Sequence, residues 1–161
     1  MPDSTKKSNI IKKSNSVVQF ISAAQTIDLR CRILRPGQPV ENCQYVGDDD
    51  EQTFHLGALA DAKIVSNGTF MKEKNKNFPE SLLSYRLRGL ATDSEFQKQG
   101  FGQLIINSAV QELLKRNCDL LWFNARVSAE EFYRKLGFSA LPEIFDIPLA
   151  GPHKVMYKWF R

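Results

Sequence analysis

The 161-residue sequence is poor in the residues that most often announce a function. It has three cysteines, two histidines and two tryptophans. Cys31, Cys43 and Cys118 are odd in number and irregularly spaced. They suit neither a disulfide framework nor a zinc pattern, and point to a reducing, cytoplasmic setting. No His, Cys, Asp or Glu grouping has metal-ligand spacing, so no metal is expected. No apolar run approaches the roughly 18 residues needed to span a bilayer, so no membrane partner is expected either. The opening MPDSTKKSNIIKKSN carries charge but lacks the apolar stretch of a secretory signal.

What is present is ordinary globular material: 42% hydrophobic and 25% charged residues, enough for one domain with one core. The net charge of +4 is partly concentrated in Lys6, Lys7, Lys12 and Lys13. These stand among Ser and Asn with little to bury, so residues 1–15 read as a mobile arm, either a solvated tail or a contact to some anion. The remainder, 16–161, is close to neutral, which argues against nucleic acid as the main partner.

Hydrophobic periodicity divides that remainder. The run 17-VVQFI-21 reads as a strand, and Ser22 is placed to N-cap a helix carrying Ala24, Ile27, Cys31 and Leu34 on one face. After the acidic run 48-DDDE-51 come strands 53–60 and 63–72, joined by Asp61-Ala62 as a hairpin. The run 85-YRLRGLAT-92 is a fourth strand. A helix spans about Gly100 to Arg116, with Gln103, Asn107, Gln111 and Lys115 as its polar stripe. Strand 119–126 follows, then a helix over 128–137 with Ser128 and Glu131 spaced as a capping box. A strand from Phe138 and a last strand from His153 complete the order β α β β β α β α β β. The fold class is α/β, or α+β: one domain with a mixed sheet and helices packed on it.

The stretch 97-QKQGFG-102 sets two glycines at a strand-to-helix junction, where glycine costs helix stability. Two readings fit. The unpaired N–H groups of a helix start, left open by glycines, can hold a phosphate; or the strand-to-helix turn is merely tight. A dinucleotide fingerprint would need a third glycine where Ile105 stands, and the Lys-Ser/Thr pair of a P-loop is missing.

Three stretches, 87-LRGLATDSEFQKQGFGQLI-105, 122-WFNAR-126 and 129-AEEFYRKLGF-138, together resemble the GNAT family of acyl-CoA-dependent N-acetyltransferases. The resemblance covers about residues 17–160, most clearly from 85 onward. It implies a central mixed, mostly antiparallel sheet of about six to seven strands, splayed between the fourth and fifth, with helices on both faces. It also implies acetyl-CoA as co-substrate. Backbone amides of Gln97, Lys98, Gln99, Gly100, Phe101 and Gly102 would hold its pyrophosphate. The strand at Leu90, Ala91 and Thr92 would leave its neighbour near Gly89, which suits a β-bulge, and pair with the pantetheine arm. The N–H of Leu90 would face the thioester oxygen and stabilise its oxyanion.

Tyr133 matches the family position that protonates the departing thiolate as a general acid; without the motif it reads as a packed aromatic. Asn124 is placed either to bind pantetheine or to cap the turn before Ser128. No glutamate lies in 85–92 or 119–126 to deprotonate the acceptor. His153 is the best titratable candidate for a base or acceptor contact, beside the plainer reading of a solvated edge histidine. His55, among apolar neighbours, reads as structural. Arg86, Arg88 and Arg126 would suit an anionic acceptor if they line its cleft, but ion pairs or the coenzyme's phosphates compete for them.

The sequence thus points to acetyl transfer from acetyl-CoA to a primary amine of a small molecule or peptide, by direct attack in a ternary complex. The alternative from another class is a non-catalytic acyl-CoA sensor that kept the coenzyme loop. A monomer or a homodimer fits, the latter, as the resemblance to the family implies, through an exposed final strand.

Overall fold

The computed structural model describes residues 16–160; the arm expected over 1–15 lies outside the described residues. The elements are β1 (Val17–Ile21), a helical run α1 (24–34), β2 (Phe54–Ala60), β3 (Lys63–Lys72), β4 (Ser84–Thr92) and α2 (Phe101–Lys115). Then come β5 (Leu120–Arg126), α3 (Glu130–Lys135), β6 (Ser139–Ala140), β7 (Phe145–Ile147) and β8 (Gly151–Trp159). The sheet has eight strands in the order β1-β2-β3-β4-β5-β8-β6, with β7 also paired to β8. Two compact units share the chain: residues 16–69 with Gly89–Ala109, and Phe70–Arg88 with 110–160.

In the first unit β1 pairs antiparallel with β2, from Val17 opposite Leu59 to Ile21 opposite His55. Gly57 is glycine because a Cβ there would lie 3.0 Å from the Ile21 side chain. The β2–β3 turn consists of Asp61 and Ala62 with φ of 51° and 65°, the type I′ geometry that matches the twist of a two-residue hairpin. Ser22 caps α1 as expected, and does so reciprocally. The Gln25 N–H donates to Ser22 Oγ (3.3 Å) and the Ser22 N–H to Gln25 Oε1 (2.9 Å), a capping box. The helix is not regular: a 3₁₀ turn (Ala24–Thr26) passes through Ile27–Leu29 into a π-helical turn, Arg30–Leu34. Cys31 in that turn is bonded to Cys43 in the 3₁₀ turn Val40–Cys43. The expectation of three unpaired thiols is therefore corrected. Helical spacing does not show which loop returns to a cysteine, so the pair was invisible in the sequence.

Strand β4 holds one residue more than its partner. The Glu73 N–H donates to the Ser84 carbonyl and the Asp93 N–H to that of Val65, so eight steps along β3 match nine along β4. The extra residue is accommodated where Gly89 takes φ +64°, as in a bulge that opens on a left-handed glycine.

In the second unit β4 and β5 run parallel, with Ser84–Arg86 opposite Leu120–Trp122. Strand β8 pairs with β5 over its whole length, from Leu120 opposite Trp159 to Arg126 opposite His153. Its other side pairs with β6 and β7. The last strand is thus interior, which removes the exposed edge through which a homodimer was expected. β7 itself was missed; its turn is Ile147-Pro148-Leu149-Ala150, closed by the Ala150 N–H on the Ile147 carbonyl. Leu149 stands at φ +68°, where a type II turn usually has glycine. Phe78, Leu120 and Trp122 form a core cluster with Leu141, Val155, Tyr157 and Trp159 against it.

Along α2, Phe101, Ile105, Ile106, Ala109 and Leu113 are buried, while the predicted polar stripe is exposed at all four positions. Leu104 and Leu114 stay exposed, so the buried stripe is narrower than the run of apolar residues. The capping box expected at Ser128 does not form. A 3₁₀ turn, Val127–Ala129, takes up Ser128, and α3 starts at Glu130 without a side-chain cap. Among the described residues no helix is long and apolar enough to cross a membrane.

Candidate functional site

In the first unit the bulge and the loop before α2 lie in direct succession. The Gly89 position disfavours any other residue: besides its positive φ, a Cβ would meet the Tyr45 ring at 3.0 Å and Arg30 Nε at 3.1 Å. The following residues are braced by side chains. Ser66 Oγ donates to the Ala91 carbonyl (3.1 Å) and shares a hydrogen with Thr92 Oγ1 (2.9 Å). Asp93 is buried, its carboxylate taking the Glu95 N–H (3.2 Å) and the Arg32 guanidinium (3.1 Å). Those two interactions, the backbone donor first, hold its pKa below the usual carboxylate range.

The loop then takes the left-handed conformation twice. Lys98 has φ +61° and Gly100 φ +88°. A left-handed lysine is unusual, and such outliers cluster where a backbone must present itself to a ligand. Gln97 Nε2 donates to the Thr92 carbonyl and Gln99 Nε2 to the Glu95 carbonyl, both at 3.1 Å, so two side-chain amides hold the loop's shape. The Thr92 carbonyl, expected to await the pantetheine arm, thus already has a partner. Gln97–Gly100 are exposed, whereas Phe101 is buried with its ring 5.9 Å from that of Phe96. Nothing lies within 4 Å of where a Gly100 Cβ would be. That glycine serves the backbone conformation and leaves open space over the helix start, whose unpaired N–H groups and dipole favour an anion.

In the second unit the motif Tyr133-x-x-Leu136-Gly137-Phe138 is a complete helix stop. The Phe138 N–H reaches the Tyr133 carbonyl and the Gly137 N–H that of Arg134, with Gly137 at φ +94°. The stop brings Phe138 back onto the ring cluster. Tyr133 lies 4.4 Å from Phe123, 5.0 Å from Phe132 and 6.2 Å from Phe138 between centroids. Tyr133 is half-buried as a residue, and desolvation pushes its phenol above the ordinary value, so it stays protonated in neutral solution.

His153 is buried, not a solvated edge residue. Its Nδ1 lies 2.7 Å from the Gly151 carbonyl, and its ring lies 6.2 Å from that of Phe145, tilted by 31°. A carbonyl can only accept, so Nδ1 carries a hydrogen, and in the neutral ring this leaves the lone pair on Nε2. Arg126 is opposite it across β5 and β8. Asn124 is opposite Val155 and does not cap the next turn, which has no side-chain cap. Arg86 is committed elsewhere: its guanidinium pairs with Glu73 (3.1 Å) and lies 5.0 Å over the Trp122 ring. That ion pair is the competing role the sequence had left open. Arg88 and Arg126 have interactions of their own, so they are not spare cations either.

His55 is structural, bridging Thr69 Oγ1 (2.7 Å) and the Asp48 carbonyl (2.9 Å). One residue of interest had no signal beyond being polar within an apolar strand. Asn67 on β3 is fully buried with neither amide atom hydrogen-bonded to protein. Cys118 is buried and its thiol is pushed up to about 11 by desolvation, so it offers no thiolate nucleophile near neutral pH.

Comparison with known proteins agrees with the geometry. Residues 49–140 match the model of the acetyltransferase (GNAT) domain. The chain is 40% identical over 144 residues to the uncharacterized N-acetyltransferase YitI of Bacillus subtilis, covering 89% of this chain and 96% of that one. Among solved structures, the NatC complex bound to Gag peptide and CoA superposes with a TM-score of 0.72. Its identity is 15%, over 91% of this chain and 99% of that one. Aminoglycoside 6'-N-acetyltransferase complexed with coenzyme A gives 0.68 at 13% identity, over 89% and 96%. At such identities the structures speak for the fold; the domain match and the Bacillus relative carry the family. The bulged β4, the glycine loop before α2 and the Tyr133 helix stop are therefore those of a member of the GNAT family, an acyl-CoA-dependent N-acetyltransferase.

Proposed function

We propose that the protein moves an acetyl group from acetyl-CoA to a primary amine of a small molecule or peptide by direct attack. The observation that carries this reading is the strained loop Gln97–Gly100, set between a bulged strand and the N-terminus of a 15-residue helix. Its amides, with those of Phe101 and Gly102, would hold the pyrophosphate. Leu90, Ala91 and Thr92 would pair with the pantetheine arm, and Asn124 would contact it. The Leu90 N–H would stabilise the oxyanion formed when the amine nitrogen adds to the thioester carbon.

Collapse of that adduct re-forms the carbonyl and breaks the carbon–sulfur bond, so the sulfur leaves as a thiolate. Tyr133 donates to it. A phenol above its ordinary pKa of about 10 is a weak acid beside a thiol of about 8.5, so full transfer in solution would be uphill. Its strength is as a desolvated donor that stabilises negative sulfur in the transition state; the thiolate takes its proton from solvent after it leaves, and the attacking nitrogen loses one. That proton goes to His153 Nε2, whose lone pair is fixed by the Nδ1–Gly151 bond, or to water. The paired Cys31 and Cys43 and the high-pKa Cys118 favour direct attack over a cysteine acyl-enzyme. A cytoplasmic location belongs to the same proposal, resting on the use of acetyl-CoA, since the Cys31–Cys43 bond removes unpaired cysteines as its ground. Family membership favours an enzyme over a silent acyl-CoA sensor.

The test is thiol release in single turnover. Tyr133→Phe should lower the rate about 10²-fold with acetyl-CoA affinity within about twofold, the usual size of a lost acid. Because burial raises the phenol pKa, wild-type kcat/KM should show no Tyr133-dependent descending limb up to pH 10. An unchanged rate in the Phe variant would remove Tyr133 from the mechanism.

A further inference from the structure

The π-helical turn Arg30–Leu34 carries two arginines on either side of a bonded cysteine, and both reach toward β4. Arg30 is fully buried. It donates to the Cys43 carbonyl (3.0 Å), to both Asp48 oxygens (2.7 and 2.9 Å) and to Thr69 Oγ1 (2.7 Å). Its guanidinium lies 3.9 Å over the Tyr45 ring, and its Nε faces Gly89 at the bulge. Arg32 bonds Asp93 (3.1 Å), the residue just past β4. The neighbours of Cys31 therefore flank Leu90–Thr92: Arg32 is bonded to the residue just after it, and Arg30 packs beside the residue just before it. Between Cys31 and Cys43 the chain runs through Pro36, Gly37 and Pro39, and the S–S bond is the covalent tie that sets the π-helical turn against the turn carrying Cys43. Cys43 is fully buried and Cys31 partly exposed, so an outside thiol meets the Cys31 sulfur first.

We propose that Cys31 and Cys43 form a reversible dithiol–disulfide site whose oxidation state sets the order of the Leu90–Thr92 strand. Reduction by a small dithiol is balanced as follows. One reductant thiolate attacks Cys31 Sγ, the protein S–S bond breaks, and Cys43 leaves as a thiolate and is protonated. The second reductant thiol then displaces Cys31, which is protonated in turn. Two electrons pass to the protein and the reductant leaves as a cyclic disulfide. The reduced π-helical turn loses its covalent anchor to the Cys43 turn and keeps only the Arg30 bond to the Cys43 carbonyl, so Arg30 beside Gly89 and Arg32 on Asp93 lose the fixed platform that orders this stretch. The consequence for acetyl-CoA rests on the function proposed above; the consequence for the strand does not.

The experiment compares hydrogen exchange and acetyl-CoA affinity in protein oxidised with glutathione disulfide and in the same protein reduced with dithiothreitol. Alkylation and mass spectrometry report the thiol state. Reduction should speed exchange of the amides of 90–93 by about tenfold or more while leaving β1 and β2 unchanged, the pattern of a local opening. It should weaken acetyl-CoA binding by a similar factor. The variant Cys31→Ser/Cys43→Ser should match the reduced protein and ignore dithiothreitol. No Cys31–Cys43 bond in the glutathione-treated protein, or equal exchange at 90–93 in both states, overturns the proposal. Altered exchange with equal acetyl-CoA affinity overturns its functional half. Altered exchange without binding in either state sustains the redox site and removes the acetyl-CoA reading instead.

Discussion

A guanidinium withdrawn from water costs several kcal/mol unless its donors and charge are met, and Arg30 meets most of that demand through its two terminal nitrogens, with one carboxylate, one carbonyl and one hydroxyl, and through one ring face, while its Nε is left without a hydrogen-bond partner. Asp48 is the member that neutralises it. Burial works against the Asp48 carboxylate, but the Arg30 hydrogen bonds and the Tyr45 N–H outweigh it, and its pKa lies below the ordinary value. A depressed carboxylate contributes stability above its unfolded pKa and loses it as pH falls through the folded one. The network should therefore hold at neutral pH and fail only in acid. Asp48→Asn leaves Arg30 buried without a counter-charge and should cost about 3–5 kcal/mol in urea unfolding at pH 7. A loss below about 1 kcal/mol would show that water already screens the pair. The sequence hid this. Asp48 opens the run 48-DDDE-51, which reads as a solvated turn, and Asp49, Asp50 and Glu51 are indeed exposed. Nothing local marks the first acid as the one drawn inward, because its partner lies 18 residues back on another element.

Two glycines at the element scale do different work. Gly89 combines φ +64° with ring and guanidinium atoms about 3 Å from any added Cβ, whereas Gly100 has φ +88° and open space. Gly89→Ala should lose more than 2 kcal/mol, from the left-handed backbone plus the forced shift of Tyr45 and Arg30. Gly100→Ala should lose only the conformational part, about 1–2 kcal/mol. Equal losses in thermal unfolding would mean the bulge relaxes around the new methyl. Elements whose signals are local were legible. The Asp61-Ala62 hairpin, the Ser22 cap, the polar stripe of α2 and the Gly137 stop all depend on residues within a few positions. Elements decided by distant partners were not. Periodicity of 3–4 residues cannot separate an α-helix from the 3₁₀ and π turns of α1. Ser128 lost its cap because a 3₁₀ turn began one residue earlier. The three-residue β7 exists only because β8 lies beside it to pair with.

At the scale of the whole molecule, the resemblance over residues 85–138 predicted the family because its motifs are backbone devices: a bulge, a left-handed loop and a helix stop. Each leaves glycines at fixed places, and these can be read without a structure. The arginines could not be read the same way. A guanidinium's role depends on which acid stands near it, and Arg86 found Glu73. The central claim is that the loop before α2 holds the coenzyme's pyrophosphate. Calorimetric titration of acetyl-CoA into the wild-type protein and into Gly100→Glu/Gly102→Glu tests it most directly. Binding in the wild type, lost by at least about 100-fold in a variant that still unfolds cooperatively, is the expected result, since two carboxylates would both fill and repel the anion site. Equal affinity in the two proteins would contradict the account, returning the glycines to the role of a tight turn.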